Sequence, residues 1–347
     1  MRGVNEGDSD SVAPFAAVAQ SSDLLLKPSM PIADYSRSAP RRPRTGGHGF
    51  PRFVFALLCA LLLVSCASHA AAPAVRHNVA VARFDHGLLW KIETPGARPS
   101  YLFGTIHVDD PRVTALPALV GKALDGSDRF VMEALLDGDS LTQMAKAMYF
   151  DDGRTLEQVI GKDLYAATLK ALAARGIPEA NVEKQKPWAA MMALSMPAPE
   201  TGEFLDLVLE TRAAKQDKPI AGLETMAEQI AVFNDLSMPD QIALLKEAVR
   251  TQPELEKDYG ELIRAYLARD LRTLAEVSDK HDPAEDQLYR SVTERLLTQR
   301  NIRMQQRMAP FLKQGNAFIA VGAAHLGGEA GLLNLLEQAG YRVIPIY

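Results

Sequence analysis

The chain has 347 residues, with 38 Lys and Arg against 43 Asp and Glu, a formal net charge of −5, and only two cysteines. An acidic balance of this kind argues against a nucleic-acid partner. Both cysteines, Cys59 and Cys66, fall in one segment near the amino terminus, so the rest of the chain has no disulfide, thiolate ligand or cysteine nucleophile to offer.

Residues 1–50 are polar, rich in Pro, Ser, Gly and Ala, and lead into the basic positions Arg41, Arg42, Arg44 and Arg52. Phe53 to Val64 is an uninterrupted apolar run. At about a dozen residues it has the length of a signal-peptide core and is too short for a spanning helix. It closes on Leu63-Val64-Ser65-Cys66, which resembles a bacterial lipobox with Cys66 as the lipidated first mature residue. A cut at Ser68-His69-Ala70 would instead release a soluble product. Either cut places the mature protein outside the cytoplasm, as a membrane-anchored lipoprotein or as a periplasmic or secreted protein. The organisation expected is an amino-terminal extension and signal peptide over 1–65, a linker over 66–85, and one α/β domain over 86–347. The part from Cys66 onward carries 31 Lys and Arg against 38 Asp and Glu, and its length of about 280 residues suffices for one large core.

Leu88 to Ile92 and Tyr101 to Ile106 read as a hairpin about Pro95-Gly96. The second strand runs into Gly104-Thr105-Ile106-His107, the first of two G-x-x-H motifs. A helix follows over Leu116 to Leu124, then a turn at Asp125-Gly126-Ser127 and a strand from Arg129 to Glu133. From Ser140 to about Arg250 the spacing is helical, clearest over Leu164 to Ala174, with a short strand at Lys218 to Glu224. Helical spacing resumes from Pro239 to Gln314. Its last helix is expected from Pro283 to about Met308, ended by Pro310 and Gly315. Phe318 to Val321 is strand-like and leads into Gly322-Ala323-Ala324-His325, followed by a helix over Glu329 to Ala339, Gly340 as cap, and a closing strand Tyr341 to Pro345.

The order strand, G-x-x-H, helix, strand thus occurs twice, which points to an internal duplication. The glycine is read as letting the backbone turn tightly at the strand end, so that both histidines project where open α/β sheets place ligands. The fold class expected is α/β: a central mixed β-sheet built from both ends of the chain, with a large helical insertion over about 140–313 that governs substrate access more than chemistry.

His107 and His325 are the leading functional candidates. Glu133 ends a strand of otherwise apolar residues, where a carboxylate is costly unless paired, protonated or metal-bound. Together the three make a minimal ligand set for a divalent transition metal, with positions open for water and substrate. Asp109 and Asp110 are read chiefly as caps of the following helix. Glu224 ends the Lys218-to-Glu224 strand as Glu133 ends its own. Arg300 and Asn301 form a polar pair in the long carboxyl-terminal helix that could meet a developing oxyanion. His69, His77, His86 and His281 receive no role. The chain has no Walker loop, G-x-G-x-x-G, G-x-S-x-G or H-E-x-x-H, which leaves nucleotide, serine-hydrolase and zincin readings without support.

From Trp90 to its carboxyl terminus the chain resembles the TraB/GumN family, to which the Tiki metalloproteases belong. The resemblance rests on LFGTIHVDD at 102–110, the strand ending in Glu133, KPW at 186–188, GLET with Gln229, RN at 300–301, and VGAAHLGGEAGLL at 321–333 leading into GYRVIPI. It implies an α/β fold related to the erythromycin-esterase and ChaN-like group, with both motif histidines and the glutamate in the active centre. The Tiki branch implies peptide cleavage with manganese or cobalt. The function expected is therefore an extracytoplasmic hydrolase of peptide or ester bonds, with water activated at His107, Glu133 and His325 by Mn, Co or Zn, or in a metal-free variant by a histidine base. The alternative is a ChaN-like lipoprotein that binds haem or another ligand without turnover. The partners expected are a peptide or small-molecule substrate and a membrane reached through the lipid anchor.

Overall fold

Strands β1 (Leu89–Glu93), β2 (Ser100–Thr105), β3 (Arg129–Ala134), β4 (Ile220–Glu224), β5 (Ala317–Gly322) and β6 (Arg342–Pro345) form one sheet in the order β4-β3-β5-β2-β1-β6. This computed structural model describes residues 84–135, 137–197, 201–280 and 286–347. The apolar run, both cleavage sites, Cys59, Cys66, His69, His77 and His281 lie outside the described residues.

The strands β4, β3, β5 and β2 are mutually parallel, whereas β1 is antiparallel to both β2 and β6. The sheet is mixed and draws on both ends of the chain, with β4 added from the middle. β5 is buried at all six positions, as a strand covered on both faces must be, and its Ala-Phe-Ile-Ala-Val-Gly sequence has no polar alternation. The closing strand β6 joins the sheet at its edge, pairing Val343 with Ile92.

Two apolar cores result. One surrounds the sheet, where the Phe318 ring lies 6.0 Å from Phe103 and 6.2 Å from Phe130. The other belongs to the helical insertion and forms about the Pro187–Leu194 helix, whose eight residues are all buried. A helix without a polar stripe can be stable only in such surroundings. Pro187 opens it at a position where its missing N–H is not needed, while Lys186 and Trp188 both donate to Asn234 Oδ1, at 2.9 and 3.3 Å.

Several expectations are corrected. After the first motif a short helix, Pro111–Thr114, precedes the expected one, which runs from Ala118 to Asp125, and the helix after the second motif runs from Leu332 to Gln338. Between β5 and the latter, His325 sits in a short 3-10 turn, Ala323–His325. The long carboxyl-terminal helix is divided into Gln287–Thr293, a π-helical turn Glu294–Thr298, and Gln299–Gln314. This last piece passes through Pro310, forfeiting one backbone hydrogen bond near its end, and stops only at Gly315. There φ is +77°, and an added Cβ would come within 2.6 Å of the Arg98 carbonyl oxygen. Neither motif glycine has a positive φ, so the tight-turn reading of Gly104 and Gly322 does not hold.

Candidate active site

The carboxyl ends of the four parallel strands carry the predicted residues in spatial sequence. Glu224 is the last residue of β4, Glu133 lies one before the end of β3, His325 follows β5, and His107 lies two residues beyond β2. This is where parallel sheets present ligand-binding groups. Register does part of the work: Thr105 pairs with Gly322, so the two motifs leave adjacent strands at nearly the same level.

His325 is fully buried. Its Nδ1 lies 2.7 Å from Asn301 Oδ1, and Asn301 Nδ2 donates to the Ala330 carbonyl at 2.9 Å. A carbonyl can only accept, so the Ala330 contact turns Oδ1 toward the histidine and places the ring proton on Nδ1. His325 Nε2 therefore bears a lone pair. Among the described residues it has no hydrogen-bond partner, and it faces Glu133 Oε1 at 3.6 Å. Burial above all lowers the imidazole pKa to about 3, and the nearby Arg300 and His107 add to this against the pull of Glu133. The ring is neutral.

Glu133 accepts from the Gly322 N–H at 2.6 Å through Oε1, and from Arg300 Nη2 at 2.7 Å and Gln229 Nε2 at 3.4 Å through Oε2. Burial would raise its pKa, but Arg300, His325, His107 and the Gly322 amide outweigh it and bring the value down to about 2. The carboxylate is thus ionised and aimed, with one oxygen left toward His325. Gly322 contributes through its backbone N–H.

Arg300, Asn301 and Glu224 have tasks other than those expected. Arg300 is fully buried and donates to Glu224 Oε2 at 2.8 Å, to Glu133 Oε2 and to the Leu296 carbonyl at 3.4 Å. Its fork is occupied by two carboxylates, as a planar guanidinium allows. It is the counter-ion of Glu133, and the oxyanion role assigned to it is withdrawn. Asn301 is likewise engaged on both atoms of its amide. Glu224 also accepts from Arg303 Nη2 at 2.8 Å, and Arg307 pairs with Glu228 at 2.8 Å, so the network runs outward along one helix. Glu224 holds Arg300 in place.

On the other side of the site, His107 Nδ1 lies 2.9 Å from Asp206 Oδ2, while Thr105 Oγ1 donates to Asp206 Oδ1 at 2.8 Å. The Phe204 ring meets the imidazole edge-on at 6.2 Å. Asp110 caps the Pro111–Thr114 helix as expected. Asp109 does not; it accepts from the backbone amides of Thr201 and Gly202 at 2.5 and 2.6 Å and ties the approach to the Leu205–Ala214 helix. Asp206 was missed. Its signal was a single carboxylate within the apolar stretch Phe204-Leu205-Asp206-Leu207-Val208-Leu209. Because Asp206, Glu224, Gln229, Arg300 and Asn301 all come from the insertion, that segment supplies the groups that orient the site, beyond any control of access.

Two of the donor atoms a divalent metal would need are brought together. Two lone-pair-bearing atoms, His325 Nε2 and Glu133 Oε1, face one another in a buried place, and both histidines are held at Nδ1 by an oxygen, the usual support of a metal-ligating imidazole. His107 acts electrostatically on both Glu133 and His325. Among the described residues, no three or more His, Cys, Asp or Glu side chains are gathered closely enough to form a ready-made metal cage. Among the same residues, no helix is long and apolar enough to cross a membrane.

Metalloprotease TIKI2 of Danio rerio is 24% identical over 313 residues, covering 74% of this chain and 60% of its own. Metalloprotease TIKI1 of Homo sapiens is 26% identical over 318 residues, covering 74% and 61%. The chain thus spans about three fifths of these relatives. The protein YbaP of Shigella flexneri is 26% identical over 251 residues, 71% of this chain and 90% of its own. No solved structure gives a significant match. The model of the TraB/PrgY/gumN family matches residues 88–345, a span that includes all six strands and both histidine motifs, and the chain belongs to that family.

Proposed function

We propose that the protein is a hydrolase of peptide or ester bonds whose water is activated between His325, Glu133 and His107. The observation that carries this reading is the buried His325 Nε2, without a hydrogen-bond partner among the described residues, facing Glu133 Oε1 at 3.6 Å. A lone pair and an ionised carboxylate so placed disfavour each other unless a proton, a water or a cation lies between them. Mn, Co or Zn held by His325 Nε2, Glu133 Oε1 and His107 would supply Lewis acidity and lower the pKa of water. The metalloprotease names of the Tiki relatives support a metal and a peptide substrate.

The chain's own residues orient the attack. In a metal-free variant Glu133, kept ionised by Arg300, would orient the attacking water at Oε1, and neutral His325 would take one of its protons at Nε2. The proton taken from water would then pass from His325 to the leaving group. The Phe53-to-Val64 segment and Cys66 support an extracytoplasmic location with a lipid anchor, and two acyl chains would suffice for stable attachment. Cys66→Ala should release the protein from membranes or block its maturation. No relative named above is described as binding haem, and no observation favours the ChaN-like alternative.

The test is to measure bound metal in the purified protein and hydrolysis of a peptide and ester panel, before and after chelation and restoration with Mn, Co or Zn. His325→Ala and Glu133→Gln should each abolish turnover, and the double variant should cost little more than either alone. A protein that binds none of these metals and hydrolyses nothing in the panel would sink the reading.

A further inference from the structure

Asp206 is a group at the site to which the hydrolytic reading assigns no task. It is the second residue of the Leu205–Ala214 helix, 6% exposed, in an apolar stretch. A carboxylate in that setting needs partners. Oδ1 has one, the hydroxyl of Thr105, which is itself fully buried at the end of β2 and only two residues before His107. The strand that carries the histidine therefore also grips the carboxylate. Oδ2 has no other hydrogen-bond donor among the described residues and stands 2.9 Å from His107 Nδ1. The approach has an ion-pair distance without the alignment of a full hydrogen bond, as such contacts often have before substrate arrives.

We propose that Asp206, locked by Thr105, is the positioning residue of His107: it requires the proton on Nδ1 and so leaves the Nε2 lone pair to the active site. With Oδ1 taken by the Thr105 hydroxyl, Oδ2 offers the ring an acceptor, which a protonated Nδ1 satisfies. An amide at the same place could turn its N–H toward the ring and select the opposite tautomer, the effect known when the aspartate of a Ser-His-Asp triad becomes asparagine. The arrangement parallels that of His325. Each histidine is held at Nδ1 by a side-chain oxygen from the helical insertion, Asp206 in one case and Asn301 in the other. The tautomer is a property of the resting protein, and its importance for turnover rests on the hydrolytic reading.

Two-bond proton–nitrogen correlation spectra of the full chain labelled with ¹⁵N-histidine, recorded near pH 8 without metal or substrate, test this directly. His107 is assigned by the signals lost in His107→Gln. The native ring should carry its proton on Nδ1, and Asp206→Asn should move it to Nε2 while the melting curve stays cooperative. Thr105→Val should give mixed tautomers, and Thr105→Ser should restore the native one, which keeps the test open should Asp206→Asn fold poorly. Affinity for added Co or, where turnover is found, kcat should fall about 10- to 100-fold in Asp206→Asn. A native ring protonated on Nε2, or a tautomer unmoved by Asp206→Asn and Thr105→Val alike, would overturn the proposal. If the tautomer moves as expected while the native protein neither binds metal nor hydrolyses anything, the positioning role stands and the hydrolytic reading alone falls.

Discussion

Gly104 lies directly against Ala323, the first residue of the 3-10 turn that carries His325. A Cβ on Gly104 would stand 3.1 Å from the Ala323 Cα and 2.6 Å from Leu326 Cδ1. The glycine of one histidine motif is therefore required by the backbone of the other, through close approach and not through an unusual φ. Tyr266 completes the contact by donating its buried hydroxyl to the Gly104 carbonyl at 2.9 Å.

Gly104→Ala should on this ground destabilise the fold by about 1–3 kcal/mol, the usual range for overpacking a filled interior. Leu326 is fully buried and has little room to retreat. The same change should shift the second motif and reduce turnover beyond what stability explains. A Gly104→Ala protein with the native urea midpoint would show that the turn yields freely.

Arg300 supports two carboxylates at once, the buried Glu224 and the half-buried Glu133. Arg300→Met should cost about 3–5 kcal/mol, because removing one member of a buried ion pair leaves its partners uncompensated. Arg300→Lys should rescue only part of this, since an ammonium lacks the planar fork that reaches both. Adding Glu224→Gln to Arg300→Met should recover some of the loss, a coupling that a double-mutant cycle in urea would read.

The sequence showed the strands, both histidines and Glu133 because each depends on local pattern: an apolar run, a glycine, then a polar residue at the strand end. It did not show what the remaining polar groups do, since that depends on distant pairing. Arg300 read as an oxyanion donor from its place on a helix, and only packing against β3 and β4 reveals that two carboxylates occupy it. Asp206 lies 99 residues after His107 and is joined to it by tertiary structure alone. Pro310 misled for a related reason: a proline weakens a helix locally, yet packing of Met304, Met308 and Leu312 into the sheet core carries the helix through it.

Acid should unfold the protein in two overlapping steps. The His325 pKa falls from 6.5 to about 3 on folding and the Glu133 pKa from 4.5 to about 2. Each group binds protons more readily in the unfolded chain, so stability rises with pH through these windows and is lost as pH falls. The contribution of His325 is fully present above about pH 6.5 and fades toward pH 3, and that of Glu133 fades below about pH 4.5. Urea midpoints should therefore drop between pH 6.5 and 4.5 and more steeply below. His325→Gln should flatten the first part of that curve. Equal midpoints for the native protein at pH 6.5 and 4.5 would refute the buried neutral imidazole.

Asn301 governs the ring of His325 through its contact at Nδ1, and both atoms of its amide are committed, one to the histidine and one to the Ala330 carbonyl. Asn301→Leu should leave the buried His325 N–H unpaired, at about 1–3 kcal/mol, and free a half-buried carbonyl at smaller cost. Asn301→Asp should act differently. Its second oxygen would face the Ala330 carbonyl without a proton to share, while the first would favour a charged imidazole and raise the His325 pKa from its depressed value. A cobalt titration followed by visible absorption should then show affinity reduced about 10- to 100-fold in both variants, as for other losses of a group that orients a ligand. The two should part on pH: the Asn301→Asp protein should hold a proton on His325 at higher pH than the native one and release it on metal binding. Native-like cobalt affinity in Asn301→Leu would mean that packing alone holds the ring, and that the amide serves the fold without directing Nε2 toward Glu133.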